Sequence, residues 1–380
     1  MTLNANWSYP TAIRFGAGRI AELGASCNIA GIARPLIVTD RGVAPLPILQ
    51  EARAALDAAG LPHAVFAEVD PNPDETNLAA GVAAYLDGGH DGVIAFGGGS
   101  AMDLGKLVAF VAGQTRPVWD FEDIGDWWTR ADASVIAPVI AVPTTAGTGS
   151  EVGRAGVLTR SDTHEKKIIF HPDMLPRVVI ADPALTLGLP PAITAGTGMD
   201  AFAHCFEAFC SPHFHPMSQG IALEGMRLVL DYLPRAFADG SDLEARGQLL
   251  AAAGMGAVAF QKGLGAVHAL SHPVGAFYGT HHGTTNAVVL PAVMDFNRDV
   301  IADRIAQAGP YLGVDGLDGL RARVVALNAG FGFPTGLSAM GVAADQLDRL
   351  TRMALADPSV GGNPRPMDAE NTRALFKAAL

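Results

Sequence analysis

Four of the chain's eleven histidines, His268, His272, His281 and His282, fall within fifteen positions of GAVHALSHPVGAFYGTHHGTTNAVVLP (residues 265–291), among small and apolar residues. Neutral imidazole binds divalent cations and carries protons near neutral pH, so the crowding points to a metal centre. His268 and His272 are four apart and share one face of a helix. His282 lies fourteen residues beyond His268. On one unbroken helix that is about 21 Å, too far for a single ion to bridge. The chain must fold back if both bind one ion, and Pro273, Gly275, Gly279 and Gly283 supply the helix-weakening positions. The spacing therefore predicts helix, turn, helix, with histidines at both lips. Adjacent side chains cannot easily address one centre, so His282 is preferred to His281.

A second constellation precedes this one. In GTGMDAFAHCFEAF (196–209), Asp200 and His204 stand four apart on a predicted helix. They point the same way, while Cys205 points about 100° away. Glu207 is placed to accept an imidazole N–H. Asp200, His204, His268 and His282 together offer one carboxylate and three imidazoles, a donor set that suits Fe(II), Zn(II) and other divalent ions. One carboxylate on a dication leaves about one net positive charge, which can polarise a carbonyl or stabilise an alkoxide. His213 and His215, in SPHFHPMS, fall in a predicted loop and are expected at the surface.

The elements that must position these groups follow from periodicity. Strand-like runs at 35–40, 62–69, 91–100 and within 135–152 alternate with helical patterns at 46–60, 76–89 and 100–112. Alternation with continuous apolar strands predicts a parallel, doubly wound sheet. From about residue 185 the chain turns rich in Ala, Leu and Gly with helical spacing. An α/β domain over 1–184 followed by an all-α domain over 185–380 is therefore expected.

Two loops of the first half carry nucleotide-binding chemistry. FGGGS (96–100) follows a strand and opens a helix. Gly97, Gly98 and Gly99 remove Cβ atoms where a backbone must turn or approach a ligand. Ser100 is expected as the helix N-cap, with Asp103 completing a capping box. The helix N-terminus would favour a phosphate. The pattern is neither the G-x-G-x-x-G fingerprint nor a Walker loop. PTTAGTGSE (143–151) adds Thr144, Thr145, Thr148 and Ser150 as hydroxyl donors after another strand. Asp40 ends the strand PLIVTD; it either accepts from an adenosine ribose, favouring NAD over NADP, or is an ordinary turn aspartate.

Bulk properties exclude other classes. A net charge of −12 without a basic run argues against nucleic acid. No run of about 20 apolar residues could span a bilayer, and the N-terminus lacks a signal pattern. Three cysteines without a CxxC fit a reducing compartment, so a cytoplasmic protein is expected.

The ordered set GGGSAMDLGK, PTTAGTGSEV, GMDAFAHCFEAF, GAVHALSHPVGAFYGTHHGTTNAVVLP and NPRPMDAENTRALFKAA resembles the iron-containing (group III) alcohol dehydrogenase family from about residue 97 to the C-terminus. The resemblance implies a Rossmann-like NAD(P)-binding domain, then a helical domain, in the dehydroquinate synthase-like architecture, with a metal in the cleft. It implies Asp200, His204, His268 and His282 as ligands of Fe2+, with Zn2+ or Ni2+ as substitutes, and His272 as a proton relay near the nicotinamide. Asp40 matches the position that biases members toward NAD. Asn72 in DPNPD, Val157 in AGVLT and Lys166, or its neighbour Lys167, in HEKKIIF match positions that contact the cofactor.

The implied reaction is reversible hydride transfer between NAD(H) and a small primary alcohol, diol or hydroxy acid. The implied partners are a small alcohol or aldehyde and further copies of the chain, a homodimer first. The chain departs from the family at Gly153-Arg154, where Thr usually follows GSEV. Arg154 offers a cation to an anionic substrate, and Trp127 and Trp128 either wall a substrate site or pack. Two rival reactions use similar parts. A lyase of the dehydroquinate synthase type needs phosphate-binding basic residues that are few here, and the two nucleotide loops argue against a metal hydrolase.

Overall fold

The apolar runs of the first half become the interior of a six-stranded sheet. The structure, a computed structural model, describes residues 11–163 and 165–380. Two compact units emerge: residues 11–145 with 149–187, and residues 146–148 with 188–380. The first contains β1 (Ala12–Phe15), α1 (Leu23–Ala30), β2 (Pro35–Asp40), α2 (Pro47–Ala58), β3 (Ala64–Val69), α3 (Glu75–Asp87), β4 (Gly92–Gly97), α4 (Gly99–Val111), β5 (Val139–Pro143), β6 (Ala155–Arg160), β7 (Glu165–Phe170) and β8 (Val178–Ala181). All pairings in the large sheet are parallel, in the order β1-β8-β5-β4-β2-β3. Its central strands are buried on both faces, as parallel sheets require. Ile37, Ile94, Phe96, Ile140, Val142 and Ile180 pack with Leu23, Cys27, Leu49 and Leu56 of α1 and α2. On the opposite face α4 settles on β4, where a Cβ on Gly105 would stand 2.7 Å from that of Ala95.

The strand order contains a topological switch. The chain leaves β2 for β3 on one side and returns to β4 on the other. The carboxyl ends of β2 and β4 therefore flank the crevice where open α/β sheets bind ligands. Asp40 ends β2 and Gly97 ends β4.

Two elements escaped the periodicity. The edge strand β1 is short and mostly exposed. The antiparallel hairpin β6–β7 is rich in polar residues. Only Gly156, Leu158 and Ile169 of the hairpin are fully buried.

The second unit is helical: α5 (Pro191–Cys210), α6 (Pro216–Ala238), α7 (Leu243–Ala259), α8 (Ala266–Tyr278), α9 (His282–Leu312), α10 (Gly316–Gly330), α11 (Leu347–Leu355) and α12 (Ala369–Ala379). Almost every residue of α5 from Thr194 to Cys210 is buried, so α5 is the axis of this unit. A Cβ on Gly283 would stand 2.0 Å from the Gly196 carbonyl oxygen. Only glycine there lets the start of α9 lie against α5. Among the described residues, no single helix is long and apolar enough to cross a membrane.

Two expectations are corrected. The cap of α4 is Gly98, without a side-chain hydrogen bond, and not Ser100. Asp103 instead accepts from the Val157 N–H at 3.1 Å and from the Ser150 hydroxyl. The helix begins two residues earlier because Gly97 and Gly98 turn the chain by themselves. His215 is not at the surface: it is 5% exposed and caps α6 by accepting from the Ser218 N–H at 3.2 Å.

Gly97 has φ +146°, and a Cβ there would meet the Ala101 Cβ at 2.8 Å and Asp40 Oδ2 at 3.2 Å. Gly97→Ala should therefore cost about 1–3 kcal/mol in backbone strain. A lower urea midpoint at unchanged m-value is the expected reading; an unchanged midpoint contradicts it.

Candidate metal centre and dinucleotide loops

The histidines converge within the helical unit. Helix α8 ends at Gly279, in the left-handed region with φ +64°, and α9 starts three residues later at His282. This turn folds the chain back as the glycine and proline spacing predicted. His281 accepts from the Thr284 N–H as the cap of α9. That leaves His282, the first residue of the helix, to face α5.

The centre forms around Asp200 on α5. The Nε2 atoms of His282, His268 and His204 lie 3.4, 3.7 and 3.9 Å from Asp200 Oδ1. Ligand atoms of Asp200, His204 and His268 all fall within 4.8 Å of one another, and all three residues are buried. A tetrahedral ion with bonds of about 2.1 Å separates its ligand atoms by about 3.4 Å. The residues therefore fit a divalent cation.

The surrounding groups prepare the imidazoles. His268 Nδ1 donates to Glu207 Oε2 at 2.5 Å, and Glu207 Oε1 accepts from the Val267 N–H at 2.6 Å. This fixes the His268 tautomer with Nε2 turned to Asp200, the carboxylate–histidine arrangement of metal sites. The ring of His204 lies 5.2 Å from that of Phe260. Burial pushes the His204 imidazole down to about 4 despite the pull of Asp200, so it is a neutral donor at pH 7. Burial disfavours the Asp200 carboxylate, yet His204, His282 and His268 hold it well below the usual range. Burial also opposes charge on His268, but Glu207 and Asp200 hold its proton up to about 10. Two buried carboxylates thus demand positive charge at this point, and a divalent cation would take the place of that proton.

His272 lies on the rim. Its ring stacks on that of His282 at 5.3 Å with 15° between planes. Its Nδ1 donates to Asp357 Oδ2 at 2.7 Å. Asp357 is held in turn by the Ser359 N–H at 2.8 Å. Asn363 accepts from the Ala266 N–H at 3.1 Å, and so pins the first turn of α8.

Sequence reasoning passed over Asp357, Asn363 and Asn286. The last is a fully buried amide whose Nδ2 donates to Asp200 Oδ1 at 2.7 Å. The available cue was Asn286 four residues after His282 within an apolar helical run, a polar side chain on the ligand face.

In the sheet unit, the Thr144 N–H donates to the Gly97 carbonyl at 2.9 Å, stitching the two glycine-bearing loops together. A Cβ on Gly98 would stand 3.4 Å from Thr145. Because Gly98 supplies no side-chain cap, the first N–H groups of α4, at Gly99 and Ser100, have no side chain accepting from them as a cap. Asp40 Oδ1 accepts from the Gly42 and Val43 N–H groups at 2.8 and 2.9 Å, while Oδ2 faces Gly97. The turn reading of Asp40 thus holds for one oxygen, and the other borders the glycine turn.

Asn72, after β3, is the one described non-glycine residue with positive φ, 57°. The register pairs Val157 with Ile168 and Thr159 with Lys166. Val157 and Lys166 thus share one hairpin face, and Lys167 lies on the other with Leu158. Ser150 is part of an internal network: it accepts from Lys106 Nζ at 2.7 Å and donates to Asp103. Lys106, 2% exposed, also donates to the Ser150 carbonyl at 3.0 Å and to that of Ala155. Burial lowers its pKa against the pull of Asp103 and Glu151. Thr148 belongs to the helical unit with Ala146 and Gly147. Trp128 packs edge-on to His171 at 5.7 Å, and Arg130 covers Trp127 at 4.0 Å, so both tryptophans have packing partners within the sheet unit.

Comparison with known proteins agrees with this geometry. The profile "Iron-containing alcohol dehydrogenase" matches residues 10–183, and "Fe-containing alcohol dehydrogenase family, C-terminal" matches residues 194–380. A 4-hydroxybutyrate dehydrogenase of Cupriavidus necator is 42% identical over 98% of this chain and 99% of its own length. An NAD-dependent methanol dehydrogenase of Bacillus methanolicus is 34% identical over 99% of this chain and 100% of its own. Among solved structures, a 1,3-propanediol oxidoreductase superposes with a TM-score of 0.94 at 33% identity, covering 99% of this chain and 100% of that one. The chain therefore belongs to the iron-containing alcohol dehydrogenase family and is an alcohol oxidoreductase of that type.

Proposed function

We propose that the sheet unit holds NAD, that Asp200, His204, His268 and His282 hold a divalent cation, Fe2+ before Zn2+ or Ni2+, and that the enzyme oxidises a small primary alcohol or reduces the matching aldehyde. The observation that carries this reading is the approach of three imidazole Nε2 atoms to within 3.4–3.9 Å of Asp200 Oδ1. When bound, the cation withdraws electrons from an alcohol or carbonyl oxygen, and the nicotinamide exchanges hydride with the carbon that bears it.

The chain's own residues do the rest. One carboxylate among the four ligands leaves the centre cationic. Glu207 keeps the His268 tautomer correct. His272, with Nδ1–H held by Asp357, keeps Nε2 as an acceptor and relays the alcohol's proton. The N–H groups after Gly97 and Gly98, at Gly99 and Ser100, receive the pyrophosphate. The hydroxyls of Thr144, Thr145 and Thr148 bind phosphate and ribose.

Asp40 accepts from the adenosine ribose and repels a 2′-phosphate, which selects NAD. Asn72, Val157 and Lys166 contact the cofactor from the end of β3 and from one hairpin face. Asp103 and Ser150 serve that site by fixing its loop through Lys106. A 4-hydroxy acid is the first substrate to try, on the strength of the 42% identical relative, with Arg154 as the cation the sequence offers it. The 44% exposure of Ile13 and Phe15 on the edge strand β1 suits a homodimer. Three buried free cysteines suit the cytoplasm.

His268→Ala should abolish tight cation binding and NADH formation together, measured by elemental analysis and absorbance at saturating alcohol. Normal metal content with normal turnover defeats the reading. His272→Ala should keep its metal while turnover falls about 10²-fold; wild-type turnover contradicts the relay. Asp40→Asn keeps the acceptor for Gly42 and Val43 but removes the charge. Its preference for NAD over NADP, as a ratio of kcat/KM, should fall by about tenfold or more, roughly 1.4 kcal/mol, and an unchanged ratio counts against Asp40 as the selector.

A further inference from the structure

Asn286 makes contacts that a packing residue does not need. It is fully buried on α9, one turn after His282. Its Nδ2 lies 2.7 Å from Asp200 Oδ1, 3.3 Å from His268 Nε2 and 3.2 Å from His282 Nε2. An amide NH2 has two hydrogens, so it cannot serve three acceptors at once. The bond to the carboxylate is the shortest and is charge-assisted, so it takes precedence. A carboxylate has lone pairs enough to keep this bond while another oxygen position serves a cation. The amide Oδ1 is buried and has no hydrogen-bond partner among the described residues. Leaving a buried carbonyl unsatisfied costs about 1–3 kcal/mol. That cost stands against the charge-assisted bond from Nδ2 to Asp200.

We propose that Asn286 is a positioning residue of the metal centre, whose N–H group orients the Asp200 carboxylate and thereby sets how tightly the site holds a divalent cation. The proposal rests on the reading of Asp200, His204, His268 and His282 as the ligands. Asn286 acts through Asp200 and adds no charge, so the centre keeps a single anionic ligand. Among the ligands, His268 takes its direction from Glu207, and Asp200 has Asn286 as its donor from α9.

The test uses the full-length protein stripped of metal with a chelator and titrated with Co2+ against a competing chelator. Asn286→Leu keeps the approximate volume and removes the donor. Asn286→Ala removes the donor without forcing a branched side chain into the space, should the leucine variant misfold by circular dichroism. Loss of an orienting partner of this kind costs about 10–100-fold in metal affinity. Either folded variant should show that loss together with an altered cobalt d–d spectrum. Wild-type affinity with a wild-type spectrum in a folded variant overturns the proposal. Asp200→Ala separates the two levels of the argument. If it loses Co2+ while Asn286→Leu and Asn286→Ala do not, only the role of Asn286 fails. If Asp200→Ala binds as the wild type does, the ligand assignment fails with it.

Discussion

A carboxylate taken out of water must be paired, and Asp200 is 3% exposed in the middle of a largely apolar, buried helix. An isolated buried anion is costly. The fold meets that cost by gathering three imidazoles and one amide around one oxygen atom. Much of the helical unit follows from this arrangement. Gly196 and Gly283 bring α5 and α9 together closely enough for His282 to reach. The turn at Gly279 reverses the chain so that α8 and α9 present His268 and His282 to the same point. Glu207 adds a second buried carboxylate behind His268. The pocket is then polarised toward a cation before any cation arrives.

The sheet unit solves a different problem, the placing of backbone donors. Strand order puts the switch point between β2 and β4, so Asp40 and the Gly97–Gly98 turn share one edge. The N-terminal end of α4 lacks a side-chain cap because Gly98 occupies the capping position. Lys106, buried under that loop, ties Ser150 and Ala155 to α4. A lysine within an apolar helix face thus holds the loop after β5 against α4.

Much of this was legible in the residues. Apolar runs of strand length gave β2, β4 and β5, whose burial on both faces leaves little alternative. The histidine spacing required a reversal, and the glycines located it. What escaped has physical reasons. The hairpin β6–β7 buries one face and carries EKK on a strand, so neither alternation nor apolarity marks it. The cap of α4 escapes because serine is the commoner cap, while here two glycines turn the chain first. His215 lies in a stretch with loop character, yet it is buried as a helix cap. Asp357 and Asn286 escaped because their partners are 85 and 86 residues away in sequence. Local pattern offers only the four-residue spacing of Asn286 from His282, and nothing for Asp357.

The central claim is that one carboxylate and three imidazoles surround a single ion. X-ray absorption at the iron edge of Fe2+-loaded protein reads that shell directly. Oxygen and nitrogen scatterers at about 2.0–2.2 Å, the multiple-scattering pattern of three imidazoles, and no sulfur are expected. A shell containing sulfur, or one with fewer than two imidazoles, would contradict it.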